Sequence, residues 1–90
     1  MSSPEEGNIL RMADAIVNGP RAEDYGHPKV NWDRTAKIAS AVLGIELNAG
    51  QCVLFAESMK LARLLQTPNH KDTIVDIAGY AWVYDKVMNG

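Results

Sequence analysis

Apolar side chains recur along this chain every three or four positions, and glycine, proline and polar residues interrupt the rhythm at intervals. That period is helical. Ile9, Met12, Ala13, Ile16 and Val17 mark a first helix, opened by Ser3-Pro4-Glu5-Glu6. Ser3 suits the cap, Pro4 the first helical position, and the two glutamates the positive end of the dipole. Asn18-Gly19-Pro20 predicts its end, with Gly19 as a left-handed cap. Pro28 starts a second helix to about Leu43, with Trp32, Thr35, Ala36, Ala39, Val42 and Leu43 facing inward and Asp33, Arg34 and Lys37 outward. Gly44 ends it. Asn48 and Gln51 have capping-box spacing at the start of a third helix. Its apolar positions to Leu65 include Val53, Phe55, Ala56, Met59, Ala62 and Leu64. Thr67-Pro68 breaks the pattern, Asn69 is placed to cap a fourth helix, and Ile74, Ile77, Ala81, Tyr84 and Val87 carry that helix toward Gly90. No segment alternates with period two long enough for a strand. The expectation is an all-α, four-helix antiparallel bundle forming a single helical domain over residues 1–90.

The fourth helix is apolar on nearly every side, through Ile74, Val75, Ile77, Ala78, Ala81, Trp82 and Val83. Such a helix is covered from more than one direction. Few helices are present to cover it, so a homo-oligomer is expected, with a contact that includes Ile74, Ala78, Trp82 or Val83.

Charge changes this picture at one place. Lys60 and Arg63 stand three apart on the third helix, and Asp72 and Asp76 four apart on the fourth. Each pair shares a face. A hairpin would bring cations and carboxylates together. Asp76 lies between Val75 and Ile77, where an unpaired carboxylate costs several kcal/mol, so it must be paired, neutral or metal-bound. A structural ion pair and a phosphate-binding site are both open. The loop over residues 19–28 holds Tyr25 and His27 among prolines and glycines. Tyr25 either anchors the loop or covers a site. His70 reads as a capping or solvated residue or as a ligand contact, and Gly79 as a point of close helix packing.

Composition removes several classes. The 90 residues carry a formal charge of −2 and 47% hydrophobic residues. General affinity for nucleic acid or an anionic membrane is not expected. No apolar run approaches the ~20 residues of a membrane span, and Met1–Glu6 lacks the features of a signal peptide. A cytoplasmic protein is therefore expected. Cys52 is alone, which rules out an intrachain disulfide and a cysteine zinc site. No metal-binding histidine spacing, Ser-His-Asp set or phosphate-cradling glycine loop is legible.

Asp24-Tyr25-Gly26-His27-Pro28 with Asn31-Trp32, Lys60-x-x-Arg63-Leu64, His70-x-Asp72 and Asp76-Ile77-Ala78-Gly79-Tyr80 together resemble a functionally uncharacterised family of small helical bacteriophage and prophage proteins. The resemblance implies a viral or prophage origin. More distantly the chain is similar to the all-α nucleotide pyrophosphohydrolases of the MazG type. Those enzymes hold magnesium with Glu-Glu-x-x-Glu on one helix and Glu-x-x-Asp on the next. Here only Glu57 precedes Lys60 and Arg63, and Asp72 and Asp76 are spaced by four.

The reading is a binder of a phosphorylated nucleotide-like ligand, without catalytic residues or cofactor. Lys60 and Arg63 would contact phosphate, which needs no metal. Tyr25 and Trp32 would stack on a base. His27 and His70 would donate hydrogen bonds, and Asp72 and Asp76 would orient the cations. One role would be sequestering a host immune signalling nucleotide. The alternatives are a magnesium-dependent pyrophosphohydrolase using Glu57, Asp72 and Asp76, and a protein-interaction module.

Overall fold

The computed structural model describes residues 8–20 and 26–90. Within them the chain is all-α, with four helices and no strand: α1 (Ile9–Asn18), α2 (Pro28–Leu43), α3 (Ala49–Gln66) and α4 (Lys71–Asn89). The start expected at Ser3-Pro4 lies outside the described residues. Asn8 caps α1, its side-chain oxygen accepting from the backbone N–H of Leu10 at 2.9 Å and of Arg11 at 3.2 Å. Asn48 and Gln51 form the expected reciprocal box on α3, at 2.8 and 3.0 Å. Gly44 closes α2 in the left-handed conformation, φ 70°, where a side chain would be strained.

Two caps differ from expectation. Gly19 is extended, at φ −86° and ψ −161°, instead of left-handed. Pro20 enforces this, because a residue before proline is pushed toward extended backbone. The cap of α4 is His70 and not Asn69. His70 Nδ1 accepts from the Thr73 N–H at 3.3 Å and lies 2.7 Å from Thr73 Oγ1. This satisfies the hydroxyl of Thr73, which is only 1% exposed.

Helix α4 packs on all three other helices, and α2 also packs on α3. This explains why α4 is apolar nearly all round: its cover comes from inside the chain. Ile74, Ala78, Trp82 and Val83 are each partly buried there. Ala49, Val53 and Val87 form the core, with Trp32, Tyr80, Val83 and Tyr84 packed around them. Small residues dominate the buried set, including Ala36, Ala49, Cys52 and Ala56. They allow the helices to approach closely, and the larger side chains of α2 and α3 fall on the other side. Val42 and Leu43, expected to face inward, are therefore exposed, and so are the apolar positions Phe55, Met59 and Ala62 of α3.

Gly79 is buried, and a β-carbon built on it would lie 3.5 Å from Val17 Cγ1, an ordinary contact. Close approach does not demand glycine at this position. Gly79→Ala should raise stability by ~0.5–1 kcal/mol through the helix preference of alanine, read as an increased urea midpoint.

Candidate functional site

Lys60 and Asp76 sit at similar distances on either side of the Thr67–His70 turn, and the back-folded hairpin brings them together. Lys60 Nζ lies 2.9 Å from Asp76 Oδ2. The two side chains are 28% and 35% exposed, so the pair is neither sealed in the core nor free on the surface. Its open side faces a cleft of about 600 Å³. Helix α1 contributes Ala13, Ile16, Val17 and Asn18 to the walls, and the start of α2 contributes His27, Asn31 and Trp32. Helix α4 contributes Asp76, Gly79, Tyr80, Trp82 and Val83.

The aromatic side chains make the cleft distinctive. Trp32 and Tyr80 meet edge to face, with centroids 6.2 Å apart and planes at 73°. Both tryptophans of the chain line the cleft. The Lys86 ammonium lies 5.7 Å from the centroid of the Trp82 ring, close enough for a cation–π contact. His27 caps α2, its Nδ1 accepting from the Lys29 N–H at 3.1 Å. A neutral imidazole that accepts at Nδ1 carries its proton on Nε2, which leaves His27 with one free donor.

Of the residues singled out from sequence, the cleft gathers His27, Trp32, Lys60 and Asp76. Tyr25 lies outside the described residues. Three others stand elsewhere. Arg63 is exposed and off the cleft, because a three-residue step along α3 turns it away from the line joining Lys60 to Asp76. Asp72 is exposed in the first turn of α4, nearer the loop than Asp76, where it complements the helix dipole. His70 is occupied as a cap. Sequence reasoning did not place Tyr80, Trp82 and Asn31 in the site. Tyr80 had a signal, since it follows Asp76 by four on the same helical face.

Glu57 has a separate environment. Its Oε1 is buried without a hydrogen-bond partner among the described residues, and burial raises its pKa above the ordinary 4.5. No group of three His, Cys, Asp or Glu side chains able to hold a metal ion occurs among the described residues. Glu57, Asp72 and Asp76 thus do not form a common carboxylate cage. No helix among the described residues is long and apolar enough to cross a membrane.

The model of a domain of unknown function, DUF6378, matches residues 8–88, and the chain belongs to that family. The Gene 55 protein of Mycobacterium phage L5 is 41% identical over 82 residues, which covers 90% of this chain and 53% of that protein. The Gene 55 protein of Mycobacterium phage D29 is 32% identical over 80 residues, covering 89% and 53% respectively. The chain therefore spans about half the length of these two relatives. No solved structure matches it. The phage family expected from the four sequence blocks is supported by these two phage relatives.

The burial of Glu57 has a consequence for pH. A carboxyl whose folded pKa is raised binds its proton more tightly in the folded state than in the unfolded one. Its favourable contribution is present below pH 4.5 and is lost as pH rises through the folded value. Glu57→Gln should remove that slope and raise the denaturation midpoint at pH 7, where the native carboxylate is charged and poorly solvated. Urea midpoints of both proteins between pH 4 and 7 test this. Parallel pH profiles would show that Glu57 is solvated.

Proposed function

We propose that this DUF6378 chain binds a phosphorylated nucleotide-like ligand in the cleft beside the Lys60–Asp76 pair. The observation that carries the reading is the convergence of three aromatic rings, a histidine donor and a lysine on one cleft. A volume of about 600 Å³ lies within the ~300–1,000 Å³ usual for small-molecule sites. Apolar walls with a few fixed polar groups also have the usual composition of such sites.

A base would pack against Trp32 and Trp82, with Tyr80 supporting Trp32. Stacking of this kind is worth ~1–3 kcal/mol per base and tolerates different bases. His27 would donate from Nε2 to an acceptor on the ligand. Lys60 would donate to a phosphate oxygen, and Asp76 would hold the ammonium in position until the ligand arrives. Because Asp76 already neutralises Lys60, a single phosphate suits this cleft better than a polyphosphate chain. Holding a nucleotide without converting it would sequester it, and an immune signalling nucleotide of the host is one ligand that fits this role. The alternative of a magnesium-dependent pyrophosphohydrolase relies on Glu57, Asp72 and Asp76 acting together, and these three are not gathered into one group among the described residues.

Since both tryptophans line the cleft, their fluorescence reports its occupancy. Titration with nucleoside monophosphates and cyclic dinucleotides should give saturable quenching by at least one of them, with or without magnesium. Lys60→Met should weaken that binding ~10–100-fold, the scale of a hydrogen bond to a charged group. It should have little effect on the matching nucleoside that lacks phosphate. Fluorescence unmoved by every nucleotide would contradict the proposal.

A further inference from the structure

Asn31 lines the cleft with a side chain that the fold does not use. Its backbone is engaged at the start of α2. The N–H donates to the His27 carbonyl at 3.2 Å, and the carbonyl accepts from Thr35 Oγ1 at 3.0 Å. The residue is half-buried against the cleft, yet its carboxamide meets no hydrogen-bond partner among the described residues. Asparagine is a poor helix former that favours caps and turns, and the cap of α2 is His27. Neither helix preference nor capping accounts for asparagine at this position. Its place beside Trp32 on the cleft wall does.

We propose that Asn31 determines which base the cleft accepts, and that the base is adenine. The inference rests on the nucleotide reading above and adds the base to it. Stacking on tryptophan does not choose between bases, because every base has a π-face. A choice must come from polar groups that meet the edge of the base. The Asn31 carboxamide offers an acceptor, Oδ1, beside a donor, Nδ2. Adenine offers the matching pair, its 6-amino donor beside the N7 acceptor, and asparagine commonly reads it through two hydrogen bonds.

The other bases fit less well. The N7 edge of guanine carries two acceptors, which leaves Oδ1 unpaired. Its opposite edge adds a 2-amino group that needs a second acceptor. The neighbours of Asn31 on this wall do not supply one, since His27 presents a donor and a tryptophan can only donate. An unpaired polar group in a partly desolvated site is costly. Cytosine and uracil also set a donor beside an acceptor, but on a single ring. They cover less of the Trp32 and Trp82 walls than a bicyclic purine and gain less from burial.

Tryptophan fluorescence titrations with the 5′-monophosphates of adenosine, guanosine, cytidine, uridine and purine riboside test the proposal. Purine riboside is adenosine without the 6-amino group. The adenosine nucleotide should bind most tightly, and ~5–150-fold more tightly than the purine riboside nucleotide, the discrimination of one bidentate pair. Asn31→Leu keeps the size of the side chain, suits a helix and should bind those two alike. A merely structural role for Asn31 would weaken both nucleotides and leave their ratio unchanged. The wild-type ratios decide the identity of the base even where Asn31→Leu fails to fold. Saturable quenching with no preference for adenosine would overturn this inference and leave the nucleotide-binding cleft standing. An adenosine preference that survives in folded Asn31→Leu would remove Asn31 from the role. Fluorescence unmoved by all five would overturn both readings.

Discussion

Asp76 lies on the helix that α1, α2 and α3 all pack against, between Val75 and Ile77, and a carboxylate there needs a counter-charge. Lys60 supplies it across the α3–α4 hairpin at 2.9 Å. The contact sets the register of the two longest helices, because only one pairing of their turns brings these residues together. It also determines what the neighbouring space can be. The pair keeps about a third of its side-chain surface exposed, and the exposed part forms the polar end of an otherwise aromatic and aliphatic cleft. A fully buried pair would be a structural device alone. Here the same two groups link the stability of the hairpin to the chemistry of the cleft.

Much of the helix pattern was legible in the sequence. The capping box at Asn48 and Gln51, Pro28 at the start of α2 and Gly44 at its end are local signals, and local hydrogen-bond geometry decides them. The Lys60–Asp76 contact was also legible, because two helices joined by a short turn leave a buried carboxylate few partners. Spacing on one helix did not show which of two neighbouring charges would reach. Arg63 and Asp72 share their partners' faces only approximately, and a three- or four-residue step was enough to take them out of the cleft. The inward faces of α2 and α3 were harder still. Helix α3 is apolar around most of its circumference, so periodicity could not choose a side. The small residues made the choice: Ala49, Cys52 and Ala56 pack inside, and Phe55 and Met59 remain outside.

This division gives α3 two unlike faces. One face closes the core and presents Lys60 to the cleft. The other carries Leu54, Phe55, Met59, Leu61 and Leu65, which are exposed among the described residues. The sequence expectation of an oligomer rested on the apolar profile of α4, and the packing of α1, α2 and α3 on that helix accounts for much of the profile within one chain. The uncovered surface lies on the side of α3 that faces away from α4. Membership of a phage family matches the sequence resemblance but assigns no chemistry, so the functional reading rests on the cleft.

A double-mutant cycle on Lys60 and Asp76 tests the central claim most directly. Lys60→Met, Asp76→Asn and the combined variant would be compared by urea denaturation. The pair is partly exposed, so each single change should cost ~1–2 kcal/mol, between the values for surface and buried pairs. The double variant should cost clearly less than the sum, with a coupling of at least ~0.5 kcal/mol. Strictly additive losses, or single changes that leave the midpoint where it was, would show that the hairpin and its cleft are not organised by this contact.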